Sequence, residues 1–307
     1  MRTILITGGT GLVGKALTAF LLAKNYQVII LTRSIPKNID NINVSYAVWD
    51  IKENKIDIAA IQKADAIIHL AGAGVMEKKW NAAYKAEIVL SRTQSSELIV
   101  KTLKENKNNV KAIISSSAIG WYGGDKLESH FFTEDEPADT QFLGVTCKAW
   151  EESISGATAL GVRVCKLRTG IVLSRLGGAY IEFRKTLAFG IASILGNGKQ
   201  MVSWIHIDDL CNQFLFALEN EKMEGSYNAV APMPVSNKTL TLAIAKIICP
   251  KFYIPTYVPT FILKIMLGER SVEILKSTTV SSKKIEDAGY NFLFPTAEIA
   301  IQNLEQQ

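Results

Sequence analysis

A glycine-rich turn near the start of the chain limits the folds that this sequence can adopt. The apolar run Ile4–Ile6 leads into three glycines spaced G-x-x-G-x-x-G, and apolar residues at helical spacing continue to Leu21. A strand, a tight turn and a helix in this order, with these glycines, are typical of a dinucleotide-binding βα unit. The alternative is a glycine-rich turn that binds no ligand.

Each glycine has its own expected role. Gly8 permits the turn, Gly11 lets the backbone approach a pyrophosphate, and Gly14 lets the helix pack closely on the strand. The first N–H groups of the helix and its dipole favour phosphate binding. The predicted phosphate contacts therefore lie in the loop and the first helical turn, at Gly8, Thr10, Gly11, Leu12 and Val13.

Strand-like apolar runs alternate with amphipathic segments over roughly the first 170 residues, which predicts an α/β fold with a doubly wound parallel sheet of the Rossmann type. From about residue 231, short helical segments alternate with prolines. We therefore expect a Rossmann-type domain over residues 1–230. A smaller, mostly helical C-terminal domain over residues 231–307 is expected to complete a substrate cleft.

Composition narrows the classes of partner. The 307-residue chain has a formal net charge of +5, and its Lys and Arg residues are scattered, so neither a nucleic-acid nor a membrane partner is expected. No apolar stretch approaches the ~18 residues of a membrane span, and the N-terminal strand leaves no room for a signal peptide, which predicts a cytoplasmic protein. The Cys and His residues follow no zinc pattern, so no metal is expected.

The end of the second strand distinguishes NAD from NADP. An acidic residue there would bind the ribose hydroxyls of NAD, but this sequence has Thr32 and Arg33. A guanidinium can bind a 2′-phosphate through two hydrogen bonds, which favours NADP(H). The alternative is that Arg33 is an ordinary surface arginine.

Two further strand ends supply candidate cofactor contacts. Asp50, after the third strand, could accept a hydrogen bond from the adenine amino group, or could simply cap its loop. Leu70, Ala71 and Gly72 end the fourth strand, where small residues let the backbone pass close to the cofactor. His69 lies inside that apolar strand, and we expect it to be structural.

Several short motifs are spread along the whole chain. They are the N-terminal T-G-G-T-G-x-x-G, His69-Leu-Ala-Gly, Lys79-Trp80-Asn81, Ser91-Arg92-Thr93, Ser117-Ala-Ile-Gly-Trp-Tyr-Gly123, Trp150-Glu151, Arg168-Thr-Gly-Ile-Val-Leu173, Trp204-Ile-His-Ile-Asp-Asp209, Leu267-Gly-Glu269 and the stretch from Lys284 to Pro295. These motifs resemble those of the extended short-chain dehydrogenase/reductases, and more narrowly their atypical epimerase-like subfamily, often catalogued as sugar-nucleotide epimerases. The resemblance implies NADP(H) binding with contacts from Glu87 and Arg92, a small-molecule substrate, and a possible homodimer.

The sequence departs from that family at its reaction centre. The family's chemistry uses a Tyr as acid/base and a Lys one helical turn later, whose charge lowers the Tyr pKa. Residues 142–149, where the pair is expected, contain no Tyr, and Cys147 falls near the Lys position. Only Tyr122 has a Lys four residues later, Lys126, but Gly123 and Gly124 between them predict a loop.

The family also uses a Ser that orients the substrate oxygen, and the resemblance places it at Ser117, or at Ser116 beside it, at the end of the fifth strand. Tyr122, just beyond that strand end, is the best substitute for the missing Tyr. Ser117 and Tyr122 are therefore the candidate catalytic residues. Tyr122 could instead pack beside Trp121 in the cleft wall. Arg168, at the end of the sixth strand, is expected to point toward the cleft mouth.

Two functions remain open. One is an NADP(H)-dependent oxidoreductase or epimerase acting on a small hydroxylated or carbonyl substrate, and the other is a non-catalytic NADPH-binding redox sensor or scaffold.

Overall fold

The computed structural model describes residues 2–36, 41–125 and 130–306, which form one large sheet with helices on both faces and a smaller lobe. In chain order the elements are β1 (Thr3–Thr7), α1 (Leu12–Ala23), β2 (Gln27–Thr32), β3 (Val44–Asp50), β4 (Lys55–Ile56), α2 (Ile58–Lys63), β5 (Ala66–His69), α3 (Ala82–Glu105), β6 (Ala112–Ala118), α4 (Phe142–Ser155), β7 (Arg163–Thr169), β8 (Ile171–Leu173), α5 (Ala179–Leu187), β9 (Ile191–Leu195), β10 (Met201–Val202), β11 (Trp204–His206), α6 (Ile207–Glu219), β12 (Gly225–Ala229), β13 (Val235–Ser236), α7 (Asn237–Ile248), β14 (Ile254–Val258), α8 (Thr260–Leu267), α9 (Ser271–Leu275), α10 (Lys283–Asp287) and α11 (Ala297–Gln306). Short 3₁₀ turns lie at Ile119–Trp121, Gly156–Leu160 and Gly268–Arg270.

Among the described residues, eight strands form the main sheet in the order β12-β7-β6-β5-β1-β2-β3-β4. All neighbours are parallel except β3 and β4. The chain proceeds outward from β1 to β3 and then returns to place β5 on the other side of β1. This topology confirms the predicted doubly wound fold, and its switch point lies between β1 and β5.

Alternate residues of the central strands point into two separate cores. Ile4 and Ile6 of β1 pack in one core with Leu17 and Leu21 of α1. Leu5, between them, packs in the other core with Ile99 of α3. Because both faces of the sheet are covered by helices, β1, β2 and β5 contain unbroken apolar runs, Ile4–Ile6, Val28–Leu31 and Ala66–Ile68, rather than an apolar residue at every second position.

The smaller lobe combines segments from before and after residue 230. Strand β14 pairs in parallel with β9, and β13 pairs antiparallel with β10. The short strand β11 pairs in parallel with β8. The domain boundary at residue 230 stays a prediction.

Candidate cofactor and substrate site

The glycine loop lies at the switch point, against the end of β5. Gly8 has a φ of +69°, and a Cβ there would lie 2.8 Å from the carbonyl carbon of Leu70. At Gly14 a Cβ would collide with the Gly8 carbonyl oxygen and with Gly9. These two positions therefore require glycine for the turn and for the close packing of α1.

Gly11 differs because its surroundings are open. Among the described residues, a Cβ at Gly11 would have only the Gly8 carbonyl oxygen within 4 Å, at 3.4 Å. Gly11 is also the N-cap residue of α1 and provides no side-chain cap for the first turn. The start of α1, at Leu12 and Val13, thus presents backbone donors beside open space, as phosphate binding requires.

Thr7 connects the ends of β1 and β5. Its hydroxyl accepts hydrogen bonds from the backbone N–H groups of Leu70 and Ala71, at 3.1 and 3.2 Å. The same oxygen lies 2.7 Å from Nδ1 of His69, whose Nε2 lies 3.1 Å from the hydroxyl of Ser96. Burial lowers the pKa of His69 to about 3, so the ring is neutral and acts as a structural bridge.

The end of β2 exposes Arg33, the predicted 2′-phosphate ligand. Within the described ranges its side chain makes no ion pair. Thr32 turns its hydroxyl onto the Ser34 carbonyl oxygen, at 3.0 Å. Asp50 accepts hydrogen bonds from the backbone of Lys52 and Glu53, at 2.9 and 3.2 Å, which is the loop-capping alternative.

Arg92 of α3 reaches back to the end of β5. Its guanidinium carbon lies 3.1 Å from where a Cβ of Gly72 would be, and 4.9 Å from the ring centre of Trp150. Nη1 donates to the carbonyl oxygens of Ala73 and Ile88, at 3.0 and 2.9 Å. No carboxylate in the described part of the chain pairs with this cation.

Glu87, the other residue implied by the resemblance, lies on the exposed face of α3. Its carboxylate pairs with Lys78 at 3.3 Å. Thr10 is exposed in the glycine loop. The cofactor contacts proposed for these side chains stay predictions.

The smaller lobe contacts the large sheet beside the end of β5 and α3. Arg270 donates from Nη1 to the carbonyl oxygen of Met76, at 2.7 Å, in the loop after β5. Glu269 forms an ion pair with Lys85 of α3. The Leu267-Gly-Glu269 motif therefore lies where the lobe contacts the large sheet.

Helix α4 packs against the turn after β6 at the positions where the family's Tyr and Lys are expected. A Cβ on Gly120 would lie 3.2 Å from Cβ of Leu143 and 3.6 Å from Sγ of Cys147. Burial raises the pKa of the Cys147 thiol to about 12. Neither the Leu143 side chain nor the Cys147 thiol can therefore replace the acid/base Tyr and the positively charged Lys of the family.

Ser117 points into a buried ion pair. Its hydroxyl donates to Oε1 of Glu151 at 2.7 Å, and Nε of Arg168 donates to the same oxygen at 2.8 Å. Oε2 accepts from Nη2 of Arg168 at 3.1 Å and from the Ser226 hydroxyl at 2.8 Å. The expectation that Arg168 points toward the cleft mouth is wrong, because the residue is only 2% exposed and bound to Glu151.

Tyr122 joins the same network and is also buried, with 1% exposure. Its hydroxyl donates to Oδ1 of Asn228 at 2.7 Å and accepts from Nη1 of Arg168 at 3.0 Å. Burial raises its pKa to about 12. Both candidate hydroxyls, of Ser117 and Tyr122, therefore already have protein partners, and their catalytic roles stay predictions. Lys126 lies outside the described residues.

Sequence reasoning did not identify Glu151 and Asn228 as members of this network. Glu151 was visible only as half of the Trp150-Glu151 motif, and Asn228 lies in a short strand with no motif. A carboxylate inside an apolar helix face was the available signal, since such a group needs a buried partner.

The sequence matches the models of known protein families. The model of the NAD dependent epimerase/dehydratase family matches residues 4–230. The chain belongs to this family. A domain of unknown function, DUF1731, matches residues 258–304 of the same epimerase-family protein. These matches confirm the resemblance inferred from the motifs.

Relatives and solved structures match this epimerase-family chain over nearly its whole length. An epimerase family protein of Staphylococcus aureus (strain NCTC 8325 / PS 47) is 32% identical over 309 residues, covering 99% of both chains. One from Mycobacterium leprae is 30% identical over 290 residues, covering 94% of this chain and 91% of its own. The fold is similar to that of the human epimerase family protein SDR39U1 (isoform 2) with NADPH, with a TM-score of 0.86, 24% identity and 99% of both chains covered. UDP-N-acetylglucosamine 4-epimerase from Bacillus cereus has a TM-score of 0.78 at 19% identity, with 100% and 99% covered.

In the described part of the chain, no helix combines the length and apolar character needed to cross a membrane. The same residues contain no group of three or more His, Cys, Asp or Glu side chains placed to hold a metal ion.

Proposed function

We propose that this protein is an NADP(H)-binding oxidoreductase or epimerase that acts on a small hydroxylated or carbonyl substrate and lacks the Tyr-x-x-x-Lys pair. The observation that carries the proposal is the open glycine loop at Gly11, set at the switch point between β1 and β5. Ligands of doubly wound folds bind outside the carboxyl ends of the strands at this point. A bound nicotinamide would supply hydride transfer.

The residues present fit a dinucleotide. The backbone of Gly8, Gly11, Leu12 and Val13 would hold the pyrophosphate, because the first turn of α1 has no side-chain cap. Thr10 lies in the same loop. The backbone of Leu70, Ala71 and Gly72 would pass close to the ribose. Arg92 would supply a cation next to Gly72.

Arg33 supports NADP(H) over NAD. It is exposed at the end of β2, where an acidic residue would otherwise bind the ribose hydroxyls, and no carboxylate in the described chain competes for it. The human neighbour is described with NADPH, whereas a UDP-glucuronic acid 4-epimerase from Bacillus cereus is described with NAD. We propose Asp50 and Glu87 as further contacts, to the adenine amino group and to a ribose hydroxyl.

A second function, a non-catalytic NADPH-binding sensor or scaffold, is favoured by the same buried network. The hydroxyl groups of Ser117 and Tyr122 both donate their hydrogen bonds to protein acceptors. Leu143 and Cys147 occupy the helix positions where an acid and a cation are expected. A protein of this kind would bind the cofactor tightly and change its affinity for a partner with the cofactor's redox state.

Titration with NADPH and NADH tests the cofactor assignment. Wild type is expected to bind NADPH at least about tenfold more tightly than NADH, because one charged two-point contact is worth more than about 1.4 kcal/mol. Arg33→Ala should remove that preference. Arg2→Ala is the matched control, since Arg2 is an exposed arginine at the opposite end of β1. Binding of neither nucleotide would overturn the proposal.

A substrate panel then separates the two functions. Sugar nucleotides, quinones and short carbonyl compounds would be offered with NADPH, and oxidation would be followed by absorbance. Turnover that Ser117→Ala or Tyr122→Phe abolishes, in protein that still folds and binds NADPH, supports the enzyme. Tight NADPH binding without turnover of any class favours the sensor.

A further inference from the structure

The apolar helix α8 lies on the surface of the smaller lobe with three of its large apolar side chains exposed. Among the eight residues of α8, only Leu263 is buried, although six of them are apolar. Phe261 is 63% exposed, Ile265 76% and Met266 63%. Helices that are apolar on every side are normally enclosed, so this one is expected to have a partner.

The strand before the helix extends the same exposed apolar character. Phe252 is 71% exposed, Ile254 52% and Tyr257 48%. The N–H of Ile254 donates to the carbonyl oxygen of Gly190, the residue just before β9. The exposed Phe189 precedes Gly190 and so lies near the start of β14. Ile254 and Tyr257 are three residues apart, so they point to opposite faces of β14 and only one of them can share a face with α8. We call the exposed residues of α8, with Phe252 and the β14 residue on their side, the β14–α8 surface.

The chain segment that forms this surface carries charge of a single sign. Residues 249–268 contain Lys251 and Lys264 and no Asp or Glu. Both lysines are exposed, and neither forms an ion pair with any described residue. The next acidic residue, Glu269, is already paired with Lys85.

We propose that the β14–α8 surface binds the face of an anionic lipid membrane. Apolar and aromatic side chains with flanking lysines are the combination that enters the interface of such membranes. Each lysine near the lipid surface adds electrostatic attraction to acidic head groups. The sequence alone predicted no membrane partner because the two lysines are far apart in the chain and form no basic run.

A second copy of the chain fits this surface less well. In a two-fold symmetric pair the same patch faces itself, which would bring lysines toward lysines with no acidic residue between them. Strand pairing across the open edge of β14 is also disfavoured. Because the N–H of Ile254 points to β9, the nitrogen of Pro255 lies on the open side and has no hydrogen to donate.

Vesicle sedimentation of the full chain tests the proposal. One set of vesicles contains phosphatidylcholine alone, and the other contains equal parts of phosphatidylcholine and phosphatidylglycerol. The protein is expected to sediment with the mixed vesicles at low salt, to be released by added salt, and to remain in solution with phosphatidylcholine alone.

Two double variants separate the apolar and charged contributions. Phe261→Ser with Ile265→Ser, and Lys251→Glu with Lys264→Glu, should each lower the vesicle partition coefficient about tenfold or more. The matched controls change exposed residues of α3: Leu90→Ser for the apolar change, and Lys101→Glu with Lys104→Glu for the charge change. All variants should retain the wild-type unfolding transition and NADPH affinity.

Several outcomes would overturn the proposal. They are the absence of sedimentation with mixed vesicles, equal sedimentation with both vesicle types, and equal losses in the control variants. A concentration-dependent dimer that Phe261→Ser with Ile265→Ser abolishes, in protein that ignores both kinds of vesicle, would instead assign the surface to a second copy.

Discussion

Arg168 and Glu151 form a two-point ion pair in the interior, with Nε–Oε1 at 2.8 Å and Nη2–Oε2 at 3.1 Å. The Arg168 guanidinium carbon also lies 3.7 Å from the ring centre of Trp121. Burial raises the pKa of Glu151, but the hydrogen bonds and charge of Arg168, with the Ser117 and Ser226 hydroxyls, hold it below its ordinary value. The pair joins α4 to β7 directly beneath the expected reaction centre.

Arg168→Met should destabilise the protein by about 3–5 kcal/mol, because it leaves the Glu151 carboxylate buried without its cation. Urea unfolding measures the change. Adding Glu151→Leu to this variant should recover part of the loss, since a buried apolar pair has no charge to leave unpaired.

The exposed pair of Lys148 and Glu152, at 3.9 Å on the same helix, provides the control. Lys148→Met should cost no more than about 1 kcal/mol. Equal stability of Arg168→Met and wild type would contradict the structural role assigned to the buried pair.

Tyr122→Phe should lower the free energy of unfolding by about 1–3 kcal/mol, because Asn228 and Arg168 each lose a buried hydrogen-bond partner. NADPH affinity should remain at the wild-type value. Thermal or urea unfolding and a cofactor titration of the same sample check both points. A variant that unfolds like wild type yet loses turnover would instead favour the acid/base role.

Substitutions at two glycines of the loop are expected to affect cofactor binding and folding stability differently. Gly11→Ala should weaken NADPH at least about tenfold, because a methyl group would stand where the pyrophosphate approaches, while stability changes by no more than about 1 kcal/mol. Gly14→Ala should lower stability directly, since its Cβ would collide with the Gly8 carbonyl oxygen.

Calorimetric titration and urea unfolding of both variants would show the contrast. Loss of stability without loss of affinity in Gly11→Ala would contradict the proposed phosphate contact.

Stability should fall as the pH drops below neutrality. His69 is buried and neutral, with its pKa lowered to about 3, whereas an unfolded histidine takes up a proton near about pH 6.5. The unfolded state therefore binds more protons between these values. The contribution of His69 is complete above about pH 6.5 and is lost by about 1.4 kcal/mol per pH unit as the pH falls toward its folded pKa.

Urea unfolding at several pH values, with His69→Asn for comparison, measures that slope. His206 adds to it, because burial lowers its pKa to about 4. The free energy of unfolding should change less steeply with pH in His69→Asn than in wild type, because one titrating histidine is missing. Identical slopes would contradict a neutral buried ring.

The first βα unit, the alternation of strands and helices, and the absence of the Tyr–Lys pair were all readable from the chain. Each depends on neighbouring residues: the period of apolar positions sets which face is buried, and Gly8 must be glycine because of its own φ angle. These local requirements determined the fold class and the position of the cofactor loop.

Only the tertiary structure decided what the remaining polar and apolar groups do. Arg168 was expected in the cleft, yet Glu151 from another element holds it inside, and Tyr122 is closed off by Asn228 of β12. The exposure of α8 was equally invisible, because an apolar helix in a sequence is expected to be buried. Contacts between distant segments depend on which surfaces the whole fold brings together, and the local periodicity of the sequence does not predict them.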